Sequence, residues 1–445
     1  MTDTRTANDT NPGWALWQKA CRLIPGGGQL LSKRPELFAP EQWPTYFSRA
    51  EGCRVWDLAG REYIDMQMSV GQAICGYADP DVDAAVRSRI DRGVTTTLNS
   101  PDEVELAALL CEIFQCAEMV RFTRSGGEAL AVAIRIARAH TGRDRVAFCG
   151  YHGWSDWYLA ANLIGDDTLD GHLLPGLAAE GVPKGLAGTI LPFEYNHPEQ
   201  LQALLEAHPG QFAAIIMEPI RQYDPAPDFL PTVRRLADEH GCVLIFDEVT
   251  VGFRYAMGGA EEYLGVTGDM AVIAKAMSNG YAMGAVMGRR DVMTSAQRTF
   301  ISSSYWTEGI GPAAALATIR KLRAVDAPAH FWRLGGRVYE GIRELADKHA
   351  LQVRVLGKPP LPGFAFDFGE DPMAVSTLFA QEMLARGFLA GKSVPLSLAH
   401  DDGIIDRYLA AMDETFAILA DAVAQDDVAS RLRGPVAQST FRRMA

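Results

Sequence analysis

The sequence predicts an α/β protein, with a large domain built on a mostly parallel sheet covered by helices and a smaller α+β domain after it. Three observations lead there. From about residue 119 short apolar runs alternate with helical stretches for some 200 residues. Those runs are apolar throughout rather than at every second position, which suits strands covered on both faces. After about residue 325 the texture changes to long amphipathic helices around two strand-like runs. The expected organisation is an N-terminal segment over 1–75 packing with the small domain, a large domain over 76–325 and a small domain over 326–445.

The elements follow in order. "MTDTRTANDTNP" is polar and reads as a frayed tail without a signal core. "CRVWDLAGREYIDM" reads as a hairpin turning around Asp57 to Gly60. In "NSPDEVELAALLCEIF", Ser100 caps a helix, Pro101 takes its first position and Glu103 stands three residues after the cap. "MVRFTRS" reads as a strand, and "GEALAVAIRIARAH" as a helix with apolar residues at three-four spacing. "RVAFCG", "GTILPF", "AAIIMEP", "GCVLIFDEV" and "DMAVIAKAM" are further strands. "HFWRLGGRVYEGIRELADKHA", "AVSTLFAQEMLARG" and "IIDRYLAAMDETFAILADAV" are helices, with "LQVRVLG" and "GFAFDFG" as strands between the first two.

Composition narrows the function classes. The chain of 445 residues is 48% hydrophobic and 22% charged, with a formal charge of −13 that disfavours nucleic acid or an anionic membrane as a partner. No stretch has the uninterrupted apolar length of a membrane span. The seven cysteines show no metal-ligand spacing, several sit in apolar runs, and a reducing cytoplasmic setting is expected.

Ligands of open parallel sheets gather beyond the carboxyl ends of the strands, so the residues following each run carry the candidates. In "RSGGEALAVAIRIAR", Ser125 and Glu128 fit a capping box, and Gly126 and Gly127 leave first-turn N–H groups open to an anion such as phosphate. Taken alone, that stretch is more simply explained as a plain helix cap. Asp247 ends "CVLIFDEV" as either an exposed terminus or a buried acid, and of Asp247 and Glu248 only one is expected to face inward. In "CGYHGWSDWY", Tyr151 and His152 sit where a ring covers a planar ligand, or where core aromatics close a turn. Lys275 either snorkels to solvent or occupies a desolvated pocket as a nucleophile. Together they supply an anion cradle, an acid, an aromatic and an amine, the groups that pyridoxal 5′-phosphate requires.

The combination "SGGEALAVAIRIARAHTGRDRV", "YHGWSD", "IIMEP", "LIFDEVTVGFR" and the lysine before "AMSNGYAMGAVMGRRDVM" resembles the class III aminotransferases of the fold-type-I pyridoxal-phosphate enzymes. Within them it is most similar to the glutamate-1-semialdehyde 2,1-aminomutase-like branch. The resemblance implies that Lys275 forms the Schiff base and shuttles the proton, and that Asp247 pairs with the pyridine nitrogen. It places Val249 and Tyr151 on the two ring faces, and Ser125, Gly126 and Gly127 at the phosphate. His152 and Glu218, in the matching motifs, join the cofactor set. "SSYWTEGIGP" is similar to a stretch that supplies a phosphate-binding threonine from the neighbouring subunit, here Thr307, which implies a homodimer. Arg34, Trp154 and Arg254 are candidates for the substrate.

The sequence departs from the pattern in three places. Gly127 stands where a hydroxyl residue is usual, Leu31 where the aminomutases use serine, and "GKSVPLSLAH" is shorter than their glutamate-bearing stretch. The expected activity is therefore amino transfer between a donor and a carbonyl acceptor, with an aminomutase as the alternative. Trp154, Trp157, Tyr158 and Trp306 are expected either at the mouth of the site or at a subunit interface. A nicotinamide oxidoreductase or a non-catalytic binding protein is disfavoured: no GxGxxG follows a first strand, and Walker A, HExxH and GxSxG are missing from the sequence.

Overall fold

The computed structural model describes residues 12–165, 167–172, 176–368 and 372–438. The tail expected at the N-terminus falls, up to residue 11, outside them. By its contacts the chain divides into one unit of Met1–Asp79 with Ala329–Ala445 and a second of Pro80–Pro328.

In the first unit, β1 (Phe47–Glu51), β2 (Arg54–Asp57) and β3 (Glu62–Asp65) form an antiparallel meander, and β2 and β3 are the expected hairpin. Its turn is held by Asp57, whose Oδ1 accepts the N–H groups of Ala59 and Arg61 at 2.8 and 2.9 Å.

The second unit carries a seven-stranded sheet. Its strands are β4 (Met119–Thr123), β5 (Arg145–Cys149), β6 (Ile190–Pro192), β7 (Phe212–Met217), β8 (Val243–Asp247), β9 (Met270–Ile273) and β10 (Gly284–Gly288), in the spatial order β4-β10-β9-β8-β7-β5-β6. All neighbours pair parallel except β10, which runs antiparallel to both β4 and β9. Every residue of β7, β8 and β9 is buried. Successive side chains supply opposite cores: Ala214, Ile216, Ile245 and Val272 pack with the helix Gly126–Thr141, whereas Ile215, Met217, Leu244 and Phe246 pack with Phe229–His240. Two covered faces are why these strands read as unbroken apolar runs.

The helix Gly126–Thr141 begins where its pattern places it. Ser125 Oγ accepts the N–H of Glu128 at 3.3 Å, and Gly142 closes the helix at φ 69°. The Glu128 carboxylate accepts from the N–H of Arg124 at 2.9 Å, one residue before the cap. Ser100 caps Pro101–Ile113 through the N–H of Asp102.

The remainder of the first unit contains the antiparallel pair β11 (Val353–Leu356) and β12 (Gly363–Phe366), and β13 (Phe388–Leu389), which adds parallel to β3. Its helices include Pro372–Ala385 and Asp402–Ala424, and Phe364, Phe379 and Phe416 join them edge to face. No helix among the described residues is long and apolar enough to cross a membrane. None of the seven cysteines forms a disulfide among the described residues, and five of them are buried.

Candidate active site

The carboxyl ends of β4, β5, β7, β8 and β9 supply one set of side chains at the same edge of the second unit's sheet. β8 ends in Asp247, which is buried. Its Oδ2 lies 2.8 Å from Nδ1 of His152, and its Oδ1 accepts the N–H of Val249 at 3.1 Å. A carboxylate only accepts, so Nδ1 of His152 carries the proton, and the enclosed Nε2 has no hydrogen-bond partner among the described residues. Glu248 does point the other way, as strand alternation requires, but it is also buried. Both faces of the sheet are covered, so the expectation of one inward acid gives way to two. Glu248 accepts the N–H of Ala260 at 2.6 Å, and burial pushes its carboxyl up to about 8.

After β9, Ala274 leads to Lys275 at φ 42°, in the left-handed region that non-glycine residues seldom occupy. The half-buried lysine donates from Nζ to Thr250 Oγ1 at 2.9 Å. Burial lowers its affinity for a proton, and Asp247 and Glu218 partly restore it. Thr250 was not among the residues expected from the sequence. Its signal lay in its place, directly after Val249 in "FDEVT".

After β5, Gly150 adopts φ 115°, and a Cβ there would fall 2.6 Å from Glu218 Oε2. That approach lets Glu218, following β7, accept the N–H of Tyr151 at 3.2 Å. Burial and the nearby Asp247 raise the Glu218 carboxyl above its ordinary range. Tyr151 is 44% exposed, which leaves its ring able to cover a ligand.

After β4, the first turn of Gly126–Thr141 has a bare approach. A Cβ on Gly126 would meet Val249 Cγ1 at 3.0 Å, and one on Gly127 would meet Trp154 Nε1 at 2.9 Å. The site thus joins open helix N–H groups, a part-buried amine, a carboxylate held by an imidazole and an exposed phenol ring. That donor set fits a phosphorylated pyridine aldehyde.

The model of the family described as Aminotransferase class-III matches residues 38–391. The chain belongs to this family. It is similar to the 3-aminobutyryl-CoA aminotransferase of Cloacimonas acidaminovorans (strain Evry), 34% identical over 79% of this chain and 83% of that one. It is also similar to the glutamate-1-semialdehyde 2,1-aminomutase of Roseiflexus castenholzii, 35% identical over 94% and 98% of the two chains. Among solved structures, the pyridoxal-phosphate form of the Sphingopyxis sp. MTA144 FumI protein superposes with a TM-score of 0.83 at 27% identity, covering 93% of this chain and 97% of that one. The protein is an aminotransferase with the fold-type-I architecture, and its cofactor is pyridoxal 5′-phosphate.

In this aminotransferase the remaining candidates are distributed unevenly. Trp157 and Tyr158 are not exposed side chains, although Trp157 reaches the wall of a neighbouring groove. Both are buried in the core beside the helix Gly126–Thr141, and the Tyr158 hydroxyl donates to Gly150 O at 2.9 Å. Trp306 is half-buried, with its indole N–H 3.4 Å from Glu128 Oε1, and Trp154 is 69% exposed. A groove of about 660 Å³ opens beside these two, floored by Ala131 and Arg135. Lys275, Asp247 and Tyr151 do not line it, so we place the chemistry at the strand ends rather than in the groove. Thr307 is exposed and donates to Ser304 O at 3.1 Å. Arg254 is enclosed at 1% exposure, and burial lowers its guanidinium to about 10. Arg34 belongs to the first unit, where its guanidinium packs over Gly26.

Proposed function

We propose that Lys275 is the amine through which this aminotransferase holds its cofactor and moves the substrate's proton. The observation carrying it is the placement of Lys275 Nζ, half-buried and hydrogen-bonded to Thr250, at the sheet end that also presents Asp247. When bound, pyridoxal phosphate supplies an aldehyde for exchange with an amino group and a ring that draws electron density away from the donor's carbon.

The chain's own residues divide the remaining work. Asp247, oriented by His152, faces the pyridine nitrogen and keeps it protonated. Val249 and Tyr151 enclose the ring, and Glu218 fixes Tyr151 through its backbone. Ser125, Gly126 and Gly127 hold the phosphate at the helix N-terminus. Nζ of Lys275 would accept the proton from the donor carbon and deliver it to the cofactor's carbonyl carbon, and burial, which disfavours the charged amine, favours the accepting role. Arg34 is assigned to a substrate carboxylate on resemblance alone, whereas the enclosed Arg254 is assigned to the scaffold. Trp154 lies against Gly127 in the first turn of the helix Gly126–Thr141.

A homodimer sharing its sites through Thr307 is the assembly we infer. In support, Phe300 and Tyr305 are 83% and 78% exposed beside Thr307, a face suited to a second copy. The free thiols agree with a cytoplasmic setting. Aminomutase chemistry is the second reading, favoured by the 35% identity to the Roseiflexus aminomutase over 94% of the chain.

Borohydride reduction followed by peptide mass mapping tests the lysine: the cofactor should become fixed on Lys275, and a label elsewhere would overturn the assignment. Mixing the protein with a panel of amines, without acceptor, separates the two readings. Lasting release of a carbonyl product marks the aminotransferase, whereas an isomerised amine marks the mutase.

A further inference from the structure

The indole of Trp154 has no role in the scheme above, and its placement is specific. Gly153, at φ 91°, sets the Tyr151–Trp154 loop so tightly on the helix that a Cβ at Gly153 would fall 3.2 Å from Gly127 Cα. Two facing glycines therefore seat the loop, and the next residue is swung across the first turn. Although 69% of Trp154 is exposed, the part turned to Gly127 is the pyrrole edge. A Cβ on Gly127 would meet Nε1 at 2.9 Å, Cδ1 at 3.1 Å and Cε2 at 3.8 Å. The N–H thus occupies the space of the side chain that Gly127 does not have. An indole N–H only donates, and among the described residues that of Trp154 has no acceptor. The Trp306 indole, by contrast, reaches Glu128.

We propose that Trp154 is a phosphate-binding residue, its Nε1–H donating to the cofactor's phosphate beside the N–H groups of Gly126 and Gly127. The inference rests on the reading of that helix N-terminus as the phosphate site. It explains why Gly127 carries no hydroxyl: Gly127 and Trp154 are a matched pair, and a larger residue at 127 would displace the donor. A hydrogen bond to a charged phosphate oxygen is of the stronger, charge-assisted kind.

The test compares dissociation constants of the full-length apoprotein for pyridoxal phosphate and for pyridoxal, which lacks the phosphate, in wild type and Trp154→Phe. Phenylalanine keeps a ring but removes the donor. The expected result is a roughly tenfold to hundredfold loss of affinity for pyridoxal phosphate with none for pyridoxal, accompanied by a shifted ³¹P resonance of the bound cofactor. The double variant Gly127→Ser with Trp154→Ala, which supplies a hydroxyl and clears the space for it, should recover part of the loss. Unchanged affinity in Trp154→Phe, or equal losses for both ligands, would overturn the proposal. Equal affinity of wild type for the two ligands would instead overturn the phosphate site itself.

Discussion

His152 Nδ1 and Asp247 Oδ2 lie 2.8 Å apart, both side chains buried, on the ends of two strands separated in the sheet by β7. The imidazole therefore spans one strand to fix a carboxylate that follows its own strand by no residue at all. A buried acid so held cannot turn away from its target without leaving a charged oxygen unpaired.

Removing that donor should weaken cofactor binding more than it unfolds the protein. His152→Phe fills the space without donating and is expected to raise the dissociation constant of pyridoxal phosphate by about ten- to a hundredfold, corresponding to ~1.5–3 kcal/mol for a hydrogen bond to a charged group. His152→Gln, which retains an N–H, should lose less. Equal affinities for the two variants, by fluorescence titration of apoprotein, would show that His152 only packs.

Glu248 gives stability a pH dependence of defined sign. Its carboxyl is raised from the ordinary 4.5 to about 8 by burial, so between those values the folded chain holds a proton that the unfolded chain has released. Stability from this group is complete below about 4.5 and is lost as pH rises to about 8, by at most ~1.4 kcal/mol per pH unit. Glu248→Gln keeps an acceptor for the Ala260 N–H and cannot ionise. Thermal unfolding at several pH values should show the variant gaining on wild type as pH rises through this window. A constant difference would refute the assignment.

Gly150→Ala should cost ~1–3 kcal/mol in stability and also loosen the cofactor site. At φ 115° the added methyl would stand 2.6 Å from Glu218 Oε2 and drive that carboxylate from the Tyr151 N–H. Gly142→Ala is the control: at φ 69° with nothing within 4 Å, it carries only the backbone strain. Its melting temperature should fall while cofactor affinity stays at the wild-type value. Parallel losses of affinity in both variants would mean that Gly150 acts through global stability.

The legible parts of this molecule were those where periodicity and position carry the same message. Runs such as "AAIIMEP" and "CVLIFDEV" announce doubly covered strands, and the polar residue ending each one marks the ligand end of the sheet. β10 escaped because its ends are Gly284 and Gly288, which read as loop. Those glycines are required by packing: a Cβ on Gly284 would meet Thr123 Oγ1 at 2.8 Å, and one on Gly288 the Asp269 carbonyl at 2.6 Å. β13 has two residues and no pattern of its own. Trp157 and Tyr158 were misread because aromatic residues in a ligand-bearing loop look alike whether they face a ligand or turn back into the core. Thr250 had only its place after Val249 to mark it, and its bond to Lys275, like the Gly127–Trp154 pair, exists as a distance that no spacing along the chain encodes.

The reversed direction of β10 sets a limit on length. Lys275 stands in the connection of a hairpin, since Ile273 on β9 and Ala285 on β10 face each other across the ladder. β10 is simultaneously in register with β4, where Gly284 faces Thr123. A one-residue slip of β10 would break its register with two neighbours at once and turn Val286 away from the core it shares with Val272. The stretch following the lysine should accordingly tolerate substitution at its exposed positions far better than insertion or deletion, and natural or engineered variants should keep its count of residues fixed.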